Sequence, residues 1–338
     1  MSSSGMSPTI EELRVEVDRT ISADLERKAA ALPEARFLIE EMWRLTAAGG
    51  KRLRPAFCYW GHRAARGAHG PEIVRAASSL ELLHTFAIVH DDIMDAADER
   101  RGEEAVHARH GVGVGILVGD LALVLADDAF MGAGFAAEPT ARAFEAYSRM
   151  RQEVIAGQYL DLAYAARTDI SVAEARRVAV LKSGRYSIEE PLAIGAALAG
   201  APDDFLERLA AFGGPLGEAF QLRDDLLGTF GDRSSVGKPV DSDIIEGKRN
   251  VLYAFAAEAL AGAEGDFLRS RWGGDALTGE EVSRLRDLVE SSGARAATER
   301  LLDARVDDAL ARLDDLRAGT EERAALEELV FLATARRA

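Results

Sequence analysis

Apolar residues recur at helical spacing along nearly the whole chain, and the breaks in that pattern are glycines, prolines and short polar runs. The pattern predicts an amphipathic helix over Thr9 to Ala31 and a second from Pro33 to about Ala48, broken by Gly49-Gly50. Lys51-Arg52-Leu53-Arg54-Pro55 follows, then an apolar helix to about Arg66 and a turn from Gly67 to Pro71. A long apolar helix is expected over about Glu72 to Ala97, with a charged loop at Asp98 to Gly102. Glycines at 111, 113, 115 and 119 punctuate the next segment, and two apolar helices flank Glu138-Pro139. The second of these contains Gly157-Gln158-Tyr159-Leu160-Asp161. Asp169 or Ser171 is placed to cap the helix that carries Lys182-Ser183-Gly184. Pro202-Asp203-Asp204 starts another, which ends in Phe220 to Gly228 before a polar loop from Gly231 to Lys248. Beyond Asn250 the pattern is helical and acidic, with Thr278 and Glu281 spaced as a capping box. No alternating strand pattern, repeat or linker interrupts this, so the expected architecture is one all-α domain over residues 1–338.

Composition narrows the class. Of the 338 residues, 48% are hydrophobic and only 9 are proline, which suits a helical protein with a sizeable core. The net charge of −16 argues against nucleic acid or an anionic membrane as the main partner. An anionic substrate would need a local basic patch or a metal. The single cysteine, Cys58, excludes an internal disulfide and fits a reducing compartment. The polar start, Met1 to Pro8, lacks the pattern of a signal peptide, and no apolar run is long enough to span a membrane, so the expected location is cytoplasmic.

The long apolar helix ends in the candidate chemistry. Asp91 and Asp92 stand four and three positions before Asp95, so the three carboxylates converge at the helix end. Carboxylates packed together resist ionisation, and a divalent cation removes the conflict. Oxygen-only ligands favour Mg²⁺ or Ca²⁺, and Mg²⁺ commonly combines carboxylates with substrate phosphates. Asp-Asp pairs also occur at 127, 203, 307 and 314, where caps or solvated faces explain them. Asp224-Asp225 differs, because like Asp91-Asp92 it ends a strongly apolar helix before a loop with basic residues. Lys51, Arg52 and Arg54, then Arg100 and Arg101, then Lys238 and Lys248 supply cations near these sites, as phosphate clamps or as plain salt bridges. Lys182 in an apolar helix needs an anion or must snorkel, and sequence leaves both open. His84 lies two turns before Asp91 on the same face, whereas His90 is off that face and is read as structural.

Taken together, these residues resemble the trans-isoprenyl diphosphate synthases, or polyprenyl synthetases. The matching elements are Gly-Gly-Lys-Arg-Leu-Arg-Pro at 49–55, His84, Asp-Asp-Ile-Met-Asp at 91–95 and Arg100-Arg101-Gly102. Gly157-Gln158 with Asp161, Lys182-Ser183, Gln221 with Asp224-Asp225, and Gly237-Lys238 complete the set, in family order over about residues 35–250. The resemblance implies an all-α isoprenoid synthase fold around a central catalytic cavity, usually as a homodimer. It also implies Mg²⁺-dependent joining of an allylic diphosphate to isopentenyl diphosphate. By the same resemblance, Asp91, Asp92, Asp95, Asp224 and Asp225 hold metal. Arg100, Lys182 and Lys238 clamp the allylic diphosphate with help from Ser183 and Gln221, while Lys51, Arg54, His84 and Arg101 bind isopentenyl diphosphate.

The chain departs from the family at Gly228, where a third aspartate is usual, and Asp232 is the candidate substitute. In the family, bulky residues about one turn before the first aspartate set the depth of the tail cavity. Phe86 followed by small Ala87 resembles the geranylgeranyl diphosphate synthases, with farnesyl and geranylfarnesyl diphosphate as alternative products. A class I terpene cyclase would not need Lys51, Arg54 and Arg101, and a non-catalytic partner subunit could lose the acidic or basic residues kept here.

Overall fold

The computed structural model describes residues 7–231 and 241–334. Helices dominate, as the spacing predicts. In order they are α1 (Ile10–Ala31), α2 (Arg36–Ala47), α3 (Leu53–Ala64), α4 (Pro71–Met94), α5 (Val106–His110), α6 (Val112–Met131) and α7 (Ala137–Ala165). Then come α8 (Val172–Ala179), a π-helix (Val180–Glu189), α9 (Glu190–Leu198) and α10 (Asp203–Phe230). The last part holds α11 (Ser242–Ile245), α12 (Val251–Ala259), α13 (Gly262–Arg271), α14 (Gly279–Ser291), α15 (Ala294–Leu313) and α16 (Thr320–Thr334). Among the described residues the only sheet is a hairpin of β1 (Glu99–Arg100) and β2 (Glu103–Glu104). None of these helices is long and apolar enough to cross a membrane.

Local chemistry explains most boundaries. Thr9 with Glu12, Ser171 with Glu174 and Thr278 with Glu281 each form a reciprocal capping box. Of the two cap candidates at 169 and 171, Ser171 is the one used. The long apolar helix stops at Met94 rather than near Ala97, and Ala96 turns left-handed at φ 51°. The glycines at 113, 115 and 119 lie inside α6 instead of breaking the chain. They allow close approach: a Cβ at Gly115 would stand 2.8 Å from Ile93, and one at Gly119 would overlap the His90 ring. His90 Nε2 donates to the Ile116 carbonyl at 3.2 Å.

The described chain falls into two compact units. The first comprises Met1–Ala146, Pro191–Glu207 and Ala318–Leu329. At its centre is α4, packed most extensively on α6 and also on α1, α2 and α3. Because α4 is covered on several sides, its apolar residues run around the helix: Val74, Ala77, Leu80, Leu82, Leu83 and Val89 are all buried. The second unit comprises Tyr147–Glu190, Arg208–Arg317 and Val330–Ala338. Its core gathers Leu222 and Leu226 of α10 with Ile244, Val251, Tyr253, Leu268, Trp272, Leu285 and Val289.

Helix α3 meets the 191–198 segment backbone to backbone. A Cβ on Gly61 would overlap the Leu192 carbonyl, and one on Gly195 would overlap the Cys58 carbonyl. Gly195→Ala is therefore expected to destabilise the protein. Overpacking costs about 1–3 kcal/mol, which exceeds the ~1 kcal/mol that Ala gains over Gly in helix propensity. Urea denaturation of the two proteins measures the difference.

Candidate active site

In the first unit, Gly49 and Gly50 adopt φ of 141° and 117°, which a side chain would strain. The chain then turns left-handed at Arg52 (φ 51°) before α3 begins. Arg52 is 4% exposed and fully engaged. Its guanidinium donates to Asp18 (2.7 Å), Glu81 (2.9 Å), the Gly49 carbonyl (2.8 Å) and the Thr46 carbonyl (2.6 Å). Arg52 is thus the residue that fixes this loop, with exposed Lys51 and half-buried Arg54 on either side.

The other basic pair is placed by the β1–β2 hairpin, whose register pairs Glu99 with Glu104 and Arg100 with Glu103. Its two turn residues, Arg101 and Gly102, have φ of 56° and 75°. Two consecutive positive φ values mark the primed turn that suits two-residue hairpins. Arg101 therefore sits in a strained turn position, where it donates to the Leu45 carbonyl at 3.2 Å and faces Glu81 at 3.8 Å. Arg100 donates from Nε to Asp92 at 2.7 Å and lies 3.5 Å from Asp91.

These residues surround one side of α4. Glu81, His84, Ile88, Asp91 and Asp95 recur every three or four positions. Burial, followed by Arg54, Arg101, Arg100 and Arg52, holds His84 well below the usual histidine range, so its ring is neutral at pH 7. Asp92 is 1% exposed and is committed to Arg100, while Asp91 and Asp95 are half-buried. Phe86 and Ala87 are half-buried on the same helix, with the Phe86 ring edge-on to His90 at 4.9 Å.

The second unit assembles its residues through glycine contacts. A Cβ on Gly157 of α7 would collide with the Lys182 backbone, its Cα being 2.7 Å away. One turn on from Gly157, Asp161 accepts from Lys182 Nζ at 2.6 Å. Lys182 has therefore found an anion instead of snorkelling out. Lys248 reaches the same carboxylate at 3.4 Å. Lys182 and Ser183 lie in the π-helix, a wide form that tends to occur at functional sites. The buried Glu190 that follows it accepts from Arg149 (2.9 Å) and Arg185 (2.7 Å). Gly184 and Gly217 meet backbone to backbone, with a Cβ on Gly184 only 2.8 Å from Gly217. That contact sets the π-helix against α10, which carries Gln221, Asp224 and Asp225.

Asp225 is 4% exposed and accepts from Gln221 at 2.7 Å. Its carboxyl is held well above the usual range, first by burial and then by the charges of Asp243 and Asp224. A divalent cation would relieve that repulsion, and carboxylate oxygens are the donor type that a hard metal ion prefers. A Cβ on Gly228 would stand 2.6 Å from the Asp243 carboxylate. Asp243, at the start of α11, thus occupies the space where a third aspartate of α10 would begin. Asn250 orients it with a 2.9 Å hydrogen bond while capping α12. Asp232 and Lys238 lie outside the described residues. Among the described residues, no three His, Cys, Asp or Glu side chains are grouped closely enough to enclose an ion. Sequence reasoning missed Glu81, Arg52 as an anchor, Asp161 as the lysine partner, and Asp243. Glu81 pairs with Arg52 29 residues away and Asp161 with Lys182 21 away, separations that leave no periodic trace.

The chain matches the polyprenyl synthetase family model over residues 36–289. It is 35% identical over 260 residues to a geranylgeranyl diphosphate synthase of Sulfolobus acidocaldarius, covering 75% of this chain and 77% of that one. It is also 35% identical to a farnesyl diphosphate synthase of Mycobacterium bovis, covering 73% and 68% of the two chains. A crystal structure of a geranylgeranyl pyrophosphate synthase from Corynebacterium glutamicum, complexed with isoprenyl diphosphate and magnesium, superposes with a TM-score of 0.94 at 33% identity. That likeness covers 98% of this chain and 100% of the other.

Asp161→Asn would leave Lys182 and Lys248 close together without their shared carboxylate. We expect a loss of about 1–3 kcal/mol in unfolding free energy, the range for removing a charged hydrogen-bond partner. Lys248→Met should cost less, because its contact is longer. Urea denaturation of both variants gives the comparison.

Proposed function

Given that the chain belongs to the polyprenyl synthetase family, whose activity is trans-prenyl transfer, we propose that it extends allylic diphosphates with isopentenyl diphosphate and stops at geranylgeranyl diphosphate. The observation that carries this is the gathering of Arg54, Arg100 and Arg101 about a neutral His84, on the helix side that ends in Asp91 and Asp95. A lone terpene cyclase site has no use for that second set of cations.

In this reading Lys51, Arg54, His84 and Arg101 hold isopentenyl diphosphate. A neutral imidazole donates a hydrogen bond without adding to the crowd of cations. Arg100, Lys182 and Lys238 grip the allylic diphosphate, with Ser183 and Gln221 assisting. Asp91, Asp92, Asp95, Asp224 and Asp225 hold Mg²⁺, with Asp92 also fastening Arg100. Bound Mg²⁺ would neutralise the charge that develops on the departing diphosphate. Cations already in place need no rearrangement as that charge builds, which is the basis of their effect on rate. Apolar walls keep water from the allylic cation. It alkylates the isopentenyl double bond, and a proton is then lost to the departing diphosphate.

The half-buried Phe86 beside small Ala87 supports the C20 product. One turn of α4 rises ~5.4 Å, comparable to one isoprene unit. The relatives include both geranylgeranyl and farnesyl synthases, so product length is the point on which this reading is most specific. We propose one family domain over 1–338, acting in the cytoplasm as a homodimer. The dimer is supported by α6, which exposes Ile116, Leu117, Val124 and Met131.

Incubation with Mg²⁺, isopentenyl diphosphate and each short allylic diphosphate, followed by chain-length analysis, tests the proposal. A folded protein that elongates no primer would sink it. Asp91→Ala and Asp92→Ala should each slow turnover by at least ~10²-fold, the scale for lost electrostatic stabilisation. Phe86→Ala should shift the spectrum to longer products, and an unchanged spectrum would place the floor of the tail cavity elsewhere.

A further inference from the structure

Four guanidiniums act on His84, those of Arg52, Arg54, Arg100 and Arg101. A buried carboxylate, Glu81, stands against two of them, 2.9 Å from Arg52 and 3.8 Å from Arg101. It is 2% exposed and sits one turn before His84 on α4. Gly50 shows how tightly the group is packed: a Cβ there would lie 2.8 Å from the Arg52 guanidinium and 3.1 Å from that of Arg101.

We propose that Glu81 is a positioning residue for the isopentenyl diphosphate site. It locks Arg52 into the loop and aims Arg101 at the substrate. This rests on the reading of Arg101 as a diphosphate ligand. The two arginines differ in how they are held. Arg52 spends its donors on two carboxylates and two carbonyls, so it is an anchor. Arg101 has a single carbonyl at 3.2 Å and the longer contact to Glu81, on a turn with positive φ. Without Glu81, repulsion from Arg52, Arg54 and Arg100 would push the Arg101 side chain outward.

A carboxylate beside an anion site has two opposed effects. By charge alone it weakens diphosphate binding, so its removal would tighten binding. By position it holds a long, entropically costly side chain in one place, so its removal would weaken binding. The sign of the change therefore separates the two roles.

The experiment is steady-state kinetics on the full chain, varying each substrate at saturating levels of the other. Glu81→Gln is expected to raise KM for isopentenyl diphosphate by ~10-fold or more, as for a lost charged hydrogen bond. KM for the allylic diphosphate should move much less. Glu81→Asp, which keeps the charge and shortens its reach, should fall between the two and covers the case in which Glu81→Gln does not fold. Adding Glu81→Gln to Arg101→Gln should raise KM little further, whereas a general loosening of the fold would add in full. An unchanged or lowered KM for isopentenyl diphosphate in folded Glu81→Gln, or in Glu81→Asp where only that variant folds, overturns the proposal. If Arg101→Gln itself leaves that KM unchanged, the assignment of Arg101 as a ligand falls, and the proposal with it.

Discussion

Crowding of like charge is the constraint on which the candidate residues of each unit depend. An acidic chain has gathered four guanidiniums around one histidine in its first unit. In its second it has put a buried aspartate beside two others. Neither grouping is favourable by itself. Each is held by chain that cannot easily relax: a left-handed loop and a primed hairpin turn for the arginines, a glycine-packed helix and a capped α11–α12 junction for the aspartates. Sites under such tension are suited to a ligand of opposite charge. A diphosphate would relieve the arginines and a divalent cation the aspartates. The two ligands of the proposed reaction also carry charges opposite to each other.

The helices were legible because their cause is periodic. Apolar spacing located α1, α4 and α10, and Ser or Thr followed by Glu located the capped starts of α8 and α14. The glycines of α6 were visible but read differently, since a glycine that breaks a helix and one that lets two helices touch look alike in sequence. The hairpin escaped because two-residue strands are too short to alternate. The π-helix escaped because its residues carry the same apolar spacing as an α-helix, while the contacts beside it, Gly184 on Gly217 and Arg149 on Glu190, join residues far apart in sequence. The acidic and basic motifs were legible as residues, but their pairings were not. Glu81 is 29 residues from Arg52, and Asp161 is 21 from Lys182.

The two Asp-Asp pairs repeat one physical arrangement, and this explains why a pair occurs at each. In each, the second aspartate is buried, Asp92 at 1% and Asp225 at 4%. In each, it accepts from a side chain, Arg100 for the first and Gln221 for the second. The first aspartate of each pair is the more exposed. Successive residues on a helix point about 100° apart, so adjacent carboxylates face different surroundings and can take different tasks. The buried one ties the helix end to a neighbouring polar side chain, and the other is left half-buried. The glycine at 228 fits the same logic. The position one turn beyond Asp224 need not carry its own carboxylate when Asp243 already fills that space and is oriented by Asn250. A side chain at 228 would have to displace that carboxylate, so glycine is the residue that the packing admits there.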